Sequence, residues 1–219
     1  MIRSKSLHAL HDGLDRRLLR LQKVASGTDW AGVPLDRRIA YATIESLSVW
    51  SSFAREYYLS CAWLTARCIG GARVFPGIMP FNSERDAILF AISVLKPPQV
   101  YQRASSAGQI SPRDEPVWHD NATLVRLWES LSFSNITSVA SSFSYPTTFF
   151  RHCPPVRNFF AHRNFETAQK VRRLASGSPY LAGTRGAAEF VGTLLPGRQQ
   201  TLIEEWIDDL RLIGHGLCA

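Results

Sequence analysis

Leucines recur every three or four positions near the start of the chain, which is the spacing of one helical face. They are Leu7, Leu10, Leu14, Leu18 and Leu21. This pattern predicts an amphipathic helix over residues 4–26. Gly27, Gly32 and Pro34 follow, and we expect them to end it, because both residue types interrupt helices.

A second, longer helix is predicted from Leu35 to Ile69, because this stretch contains neither glycine nor proline. We expect it to stop at Gly70 and Gly71. Aromatic side chains crowd the segment, and we interpret them as core residues. They are Trp50, Phe53, Tyr57, Tyr58 and Trp63.

Capping and breaking residues predict the later helices. Ser83 is expected to cap a helix that runs through Leu95, and Asp120 or Asn121 a helix that runs through Leu131. Pro154 and Pro155 are expected to open a helix that continues to about Ala175, because proline is favoured in a first turn. Residues 199–213 are predicted to form the last helix.

The segments between these helices are rich in glycine, proline, serine and threonine. Residues 97–118 are predicted to be an exposed loop, and residues 132–148 and 176–198 to be loops that each contain a short helix. Strand-like alternation is scarce and no internal repeat is found. The sequence therefore predicts an all-α bundle of five to seven helices in a single domain, residues 1–219, with residues 1–30 as an N-terminal helical appendage or an integral part.

Cysteine spacing and hydropathy bear on the compartment. The four cysteines, at positions 61, 68, 153 and 218, include no Cys-x-x-Cys pair. Cys61 and Cys68 are expected two turns apart on one helical face, too far for a local metal clip. The most apolar stretch, residues 57–66, is about half the length that a bilayer requires. We therefore expect no metal, no cofactor and no membrane span, and a reduced, cytoplasmic protein.

Charge favours an anionic partner. The chain carries 25 basic and 18 acidic side chains, a net charge of +7, and all but four of the basic residues are arginines. Residues 151–198 contain eight basic side chains but only Glu166 and Glu189 as acids. A region of this kind is typical of polyanion binding. A bias toward arginine codons is the alternative explanation.

Several familiar catalytic signatures are missing from the sequence. There is no Gly-x-x-x-x-Gly-Lys-Ser/Thr loop, no His-Glu-x-x-His and no Gly-x-Ser-x-Gly elbow. The acidic residues form no evident two-metal nuclease site, and the pairs Glu204-Glu205 and Asp208-Asp209 fit a solvated helix face. These observations argue against an ordinary P-loop NTPase, a zincin protease and an α/β-hydrolase.

The remaining candidate is Arg157-x-x-x-x-His162. Its spacing alone is weak evidence, because Arg3 and His8 share it. On a helix Asn158 and His162 face the same way, whereas Arg157 is about 140° from His162. Asn158 is therefore expected to orient the imidazole while the long Arg157 side chain bends round. A helix that starts near Pro155 would also offer free N–H groups to a phosphate.

The string Val156-Arg157-Asn158-Phe159-Phe160-Ala161-His162-Arg163-Asn164 resembles the signature of the HEPN superfamily, an arginine followed by a polar residue and, a few positions later, a histidine. The resemblance covers about nine residues. It implies a helical bundle, a homodimer and, in many members, a metal-independent ribonuclease used as a toxin or in antiviral defence. Arg157, Asn158 and His162 are the residues carried over. Glu45 and Glu56 are possible acidic counterparts from an earlier helix.

The residue chemistry suits RNA cleavage. The ribose 2′-hydroxyl is an internal nucleophile, so no metal-bound water is needed. A histidine can remove its proton or protonate the departing 5′-oxygen, and an arginine can stabilise the charge that develops on phosphorus. One histidine does not easily serve as both acid and base. Two motifs facing each other in a dimer would supply both, as the resemblance implies.

The leading prediction is thus an endoribonuclease that leaves a 2′,3′-cyclic phosphate, with an antitoxin or inhibitor protein as a further partner. Arg163, Arg172, Arg173 and His152 are candidate RNA contacts; the alternatives are a solvated basic face for the arginines and a loop position for His152. Two other functions remain open. One is a non-catalytic dimerisation or partner-binding module of the same fold, and the other is RNA binding without catalysis.

Overall fold

The computed structural model describes residues 6–63, 66–77, 81–176, 186–192, 194, 197 and 199–219. Within these ranges the chain forms ten helices and one two-stranded sheet, so the predicted all-α class is confirmed. The helices are α1 (Leu7–Ser26), α2 (Leu35–Ala62), α3 (Glu84–Leu95), α4 (Pro98–Ser106), α5 (Asn121–Leu131), α6 (Ile136–Phe143), α7 (Phe149–His162), α8 (Phe165–Ser176), α9 (Ala187–Gly192) and α10 (Leu202–Cys218). Strands β1 (Ala66–Arg67) and β2 (Arg73–Val74) pair antiparallel. None of these helices is long and apolar enough to cross a membrane.

The helix count exceeds the predicted five to seven partly because residues 98–106, expected in a loop, form α4. Pro98 occupies its first turn, where a missing N–H costs nothing. The far end of α4 is held by Arg85 of α3, which donates to the carbonyls of Ala104, Ser105 and Ala107. This long-range cap is invisible in the local sequence, which is why the loop prediction was wrong.

The long aromatic helix is confirmed, but α2 ends at Ala62 rather than Ile69. Gly70 and Gly71 lie in the turn that joins β1 to β2, with Gly71 at φ +84°. The Cys68 N–H donates to the Ala72 carbonyl at 2.8 Å across this turn. The prediction that Cys61 and Cys68 lie on one helical face is therefore wrong. All four cysteines are buried and free.

The chain divides into two compact units. Unit 1 comprises residues 1–13, 50–145 and 213–219, and unit 2 comprises residues 14–49 and 146–212. The periodic leucines of α1 are buried in each unit, Leu7 and Leu10 in unit 1 and Leu14, Leu18 and Leu21 in unit 2. The prediction of one domain over residues 1–219, with residues 1–30 as an optional appendage, stays a prediction.

Unit 1 has an aromatic core around Trp128. The rings of Tyr57 and Trp128 stack at 4.9 Å, and the Phe133 ring stacks on Trp128 at 4.4 Å. Asn135 accepts a hydrogen bond from Trp128 Nε1 at 2.8 Å and donates to the Tyr57 hydroxyl at 3.0 Å. That hydroxyl donates in turn to the Leu217 carbonyl at 2.8 Å. This polar relay gives the Trp128 indole N–H and the Tyr57 hydroxyl hydrogen-bond partners inside the core.

Unit 2 is built around α10, whose Trp206, Ile207 and Leu210 are fully buried. Trp206 Nε1 donates to Thr148 Oγ1 at 2.8 Å, and Arg211 Nε donates to Asp15 Oδ1 at 2.6 Å. The first contact lies immediately before α7, so it fixes where that helix begins.

We predict that Tyr57→Phe lowers the free energy of unfolding by about 1–3 kcal/mol, because the Leu217 carbonyl and the Asn135 amide lose a buried partner. Urea denaturation followed by circular dichroism measures the change. Tyr41→Phe is the matched control, since Tyr41 is 40% exposed. Equal stability of the two variants would contradict the proposed importance of the relay.

Candidate functional site

The candidate motif lies on α7, but this helix does not begin near Pro155. It starts at Phe149 and contains Pro154 and Pro155 in its interior. Neither proline has an N–H to donate, so the carbonyls of Phe150 and Arg151 lose their usual helical partner. Arg157 and Asn158 therefore lie in the second half of the helix. The prediction that these two residues lie in a first turn, where free N–H groups would help to bind a phosphate, is therefore wrong.

The helix also ends earlier than predicted, at His162 rather than near Ala175. Arg163 adopts a left-handed conformation with φ 47° and ψ 38°, and its N–H donates to the Phe159 carbonyl at 2.7 Å. Asn164 then caps α8 by accepting from the Thr167 N–H at 2.9 Å. The left-handed Arg163 and the Asn164 cap divide the single predicted helix into two. The hydrophobic pattern of the sequence did not reveal this division. The start of α8 consequently lies directly beyond His162.

Arg157 and Asn158 contact each other. Arg157 Nη1 donates to Asn158 Oδ1 at 3.3 Å. His162 is exposed, and among the described residues its side chain has no hydrogen-bond or ion-pair partner. Asn158 and His162 share a face of α7 as predicted, yet the Asn158 carbonyl oxygen binds the guanidinium and not the imidazole. The expected orientation of His162 by Asn158 is therefore not seen.

Burial of the opposite face anchors α7. Phe149, Cys153 and Val156 are fully buried, and Cys153 Sγ lies 3.8 Å from the Thr43 carbonyl of α2. Burial raises the pKa of the Cys153 thiol, an effect that the nearby Arg157 charge opposes. Cys153 is thus a packing residue, and Arg157 lies at the edge of the packed face.

The acidic counterparts of the motif differ in their surroundings. Glu45 follows Thr43 by two residues on α2, so it lies close along the helix to the point where α7 packs. Glu56 belongs to the other compact unit. The assignment of either glutamate as an acidic partner of the motif stays a prediction.

His152 lies on α7 and not in a loop. It is half-buried, with its ring 6.3 Å from that of Phe190. Burial, and then the charge of Arg151, lowers the pKa of His152 below its ordinary value. The neutral form is therefore favoured, which weakens the case for His152 as a cationic RNA contact.

The three candidate RNA-binding arginines are all exposed. Arg163 lies in the turn after α7, and Arg172 and Arg173 lie on α8. None has an ion-pair partner among the residues that the structure describes, whereas Lys170 on the same helix pairs with Glu166 at 2.8 Å. Arg172 also borders a cavity of about 70 Å³ with Phe159 and Val171. A space of this size holds water but not a nucleotide.

Unit 1 contains a larger cleft, of about 560 Å³, that sequence reasoning did not find. Arg55 lies on its wall and donates to both carboxylates beside it, at 3.0 Å to Glu84 and 2.7 Å to Glu115. The hydrogen bond to Glu115 is the main reason that the pKa of Arg55 is raised. These residues are far apart in sequence, so no local motif announces the cleft. Its charges neutralise each other, which makes it a poor polyanion site.

Phe165 is a further feature that sequence reasoning missed. It is the first residue of α8, three positions after His162, and 72% of it is exposed. The only sequence signal is an aromatic residue directly after the motif.

A metal centre is not apparent in the described ranges, where no group of three or more histidine, cysteine or acidic side chains is arranged to hold an ion.

No protein-family model, curated protein or solved structure matches this chain. The relation to the HEPN superfamily thus rests on the nine-residue motif and remains a proposal.

The lowered pKa of His152 predicts a pH-dependent stability. The folded protein binds this proton less well than the unfolded chain, so the free energy of unfolding should fall as the pH drops below about 6.5. His152→Gln should flatten that decrease, and Arg151→Gln should reduce it by less, because burial is the larger cause. Urea titrations between about pH 7.5 and pH 5 measure the slopes. Identical slopes in wild type and His152→Gln would rule out this assignment.

Proposed function

We propose that this chain is a metal-independent endoribonuclease of the HEPN type, which cleaves RNA through the 2′-hydroxyl to a 2′,3′-cyclic phosphate. The observation that supports it most is the exposed imidazole of His162, which has no partner among the described residues. It lies on the same helix as Arg157 and is followed by exposed arginines that have no ion-pair partner in that part of the chain. A cytoplasmic toxin or antiviral-defence role, with an antitoxin or inhibitor protein as partner, belongs to the same proposal.

The reaction needs two proton transfers. The 2′-oxygen forms a bond to phosphorus while its proton leaves to a base, and the bond from phosphorus to the 5′-oxygen breaks while that oxygen receives a proton. His162 performs one of these transfers. Arg157 stabilises the negative charge that develops on the phosphoryl oxygens.

A homodimer completes the site. Arg157 and His162 lie about 140° apart around the axis of α7, and Arg157 is engaged by Asn158. One motif supplies one histidine, whereas the reaction requires a base and an acid. A second copy of α7 facing the first provides the other histidine, and each Arg157 can then approach a phosphate held between the two copies.

Electrostatics favour an RNA substrate. Unit 2 contains fifteen basic and ten acidic residues, so most of the chain's net charge lies in the unit that contains α7. Arg163, Arg172 and Arg173 are exposed without acidic partners in the described ranges. Phosphates neutralise such side chains and release counterions, which drives binding.

RNA binding without cleavage is the second candidate. The bond between Arg157 and Asn158 favours it, because this bond leaves His162 without an orienting group among the described residues. The same arginines would then act only as phosphate contacts. Catalysis and binding are separated by the variants below.

We predict that His162→Ala lowers the single-turnover rate by about a hundred- to ten-thousandfold, and Arg157→Ala by about a hundred- to a thousandfold. Asn158→Ala should lie between these variants and wild type. His8→Ala is the matched control, because His8 follows Arg3 at the same spacing but pairs with Asp12 on an exposed face of α1.

These rates are measured on a defined single-stranded RNA, with circular dichroism to check folding and light scattering to check that each variant is a dimer. Wild-type activity in a folded His162→Ala protein would show that His162 is not catalytic. An active monomer would exclude the two-motif arrangement.

We also predict that chelator leaves cleavage unchanged, because the internal 2′-hydroxyl needs no metal-activated water. Replacing the ribose at the scissile position by deoxyribose should abolish cutting, since the nucleophile is removed. Product analysis should find a cyclic phosphate. Loss of activity in chelator and its recovery with magnesium would refute the mechanism.

A further inference from the structure

Phe165 has an exposure that the fold does not explain. At 72%, it is the most exposed large hydrophobic side chain in the described part of the chain, whereas Phe149 of α7 is fully buried. Asn164, not Phe165, caps α8. The packed face of α8 contains Val171 and Ala175, and Phe165 does not lie on that face.

The helical repeat aligns Phe165 with a cation. Residues seven apart on an α-helix differ by only about 20° and lie about 10 Å apart. Arg172 is seven residues after Phe165, and it is exposed without an ion-pair partner in the described ranges. On the other side, His162 and Arg163 directly precede the start of α8. The exposed Phe165 therefore lies in the sequence between two exposed arginines, Arg163 two residues before it and Arg172 on the same side of α8.

We propose that Phe165 is a nucleobase-stacking residue, which binds the base next to the scissile phosphate of a single-stranded RNA, while Arg172 contacts a phosphate further along the strand. This inference rests on the proposed function for the identity of the substrate. Aromatic rings flanked by arginines are the usual platform for unstacked bases. Stacking would also immobilise the nucleotide whose phosphate His162 must reach.

Charge favours an RNA base over a second copy of the chain as the group that packs against the Phe165 ring. In a two-fold contact a patch meets itself. A self-association centred on Phe165 would bring Arg172 of one copy toward the basic side chains of the other with no phosphate between them, and like charges across an interface are unfavourable. In the proposed α7 dimer, by contrast, an RNA phosphate lies between the two copies. An RNA strand supplies a ring for Phe165 and phosphates for both arginines.

The test measures RNA binding in a His162→Ala background, so that cleavage does not interfere. Fluorescence anisotropy with a labelled oligoribonucleotide compares Phe165→Ala, Phe165→Leu and Phe165→Tyr. Loss of one stacked base should weaken binding about 5- to 100-fold in the Ala and Leu variants, and the Tyr variant should stay within about twofold because it keeps the ring. Phe75→Ala is the matched control, since Phe75 is 51% exposed but lies in unit 1.

Abasic substitutions identify the stacked base. A series of oligonucleotides, each lacking one base, should contain one position at which binding to the His162→Ala protein weakens most. The same substitution should have no further effect on the Phe165→Ala double variant, because the ring that it would have met is gone. Additive losses at every position would overturn the proposal.

The outcomes separate the two proposals. If Phe165→Leu binds RNA like its parent, or if Phe165→Ala only dissociates a dimer, then Phe165 is a protein contact and the inference fails even when wild type cleaves RNA. If binding depends on the aromatic ring but wild type does not cleave RNA, then the stacking site is supported and the ribonuclease is rejected.

Discussion

The burial of one face of α7 controls the arrangement of the candidate site. Phe149, Cys153 and Val156 are fully buried, and the Trp206 indole fixes the residue before the helix by a 2.8 Å bond to Thr148. A rigid helix whose one face is packed has no freedom to rotate. The directions of Arg157, Asn158 and His162 then follow from the helical repeat.

The ends of this helix matter as much as its packing. The left-handed Arg163 and the Asn164 cap stop α7 immediately after His162 and start α8. The imidazole thus lies at a corner between two helices instead of in the middle of one. His162, Arg163 and Phe165 are all exposed around this corner, although only His162 lies on α7.

Local patterns predicted the all-α fold class correctly. The leucine spacing predicted α1, and the stretch without glycine or proline predicted α2 although not its end. Ser83 was recognised as the cap of α3, and Asp120 was one of two candidates for the cap of α5. These predictions succeeded because helix formation and capping depend on residues within one or two turns. The predicted start of α7 was wrong because two prolines are tolerated inside a helix whose one face is buried. Its predicted end was wrong because the left-handed Arg163 and the Asn164 cap separate α7 from α8.

The sequence by itself determined that the chain is helical, that its basic residues gather around residues 151–198, and that Arg157, Asn158 and His162 form one short motif. Only the tertiary structure decided that Asn158 binds Arg157, that His152 is half-buried, and that Phe165 stays exposed at the start of α8. The reason is physical. Spacing along a helix gives the angle between side chains, whereas partners and burial depend on contacts with residues such as Thr43 and Phe190, which are distant in the sequence.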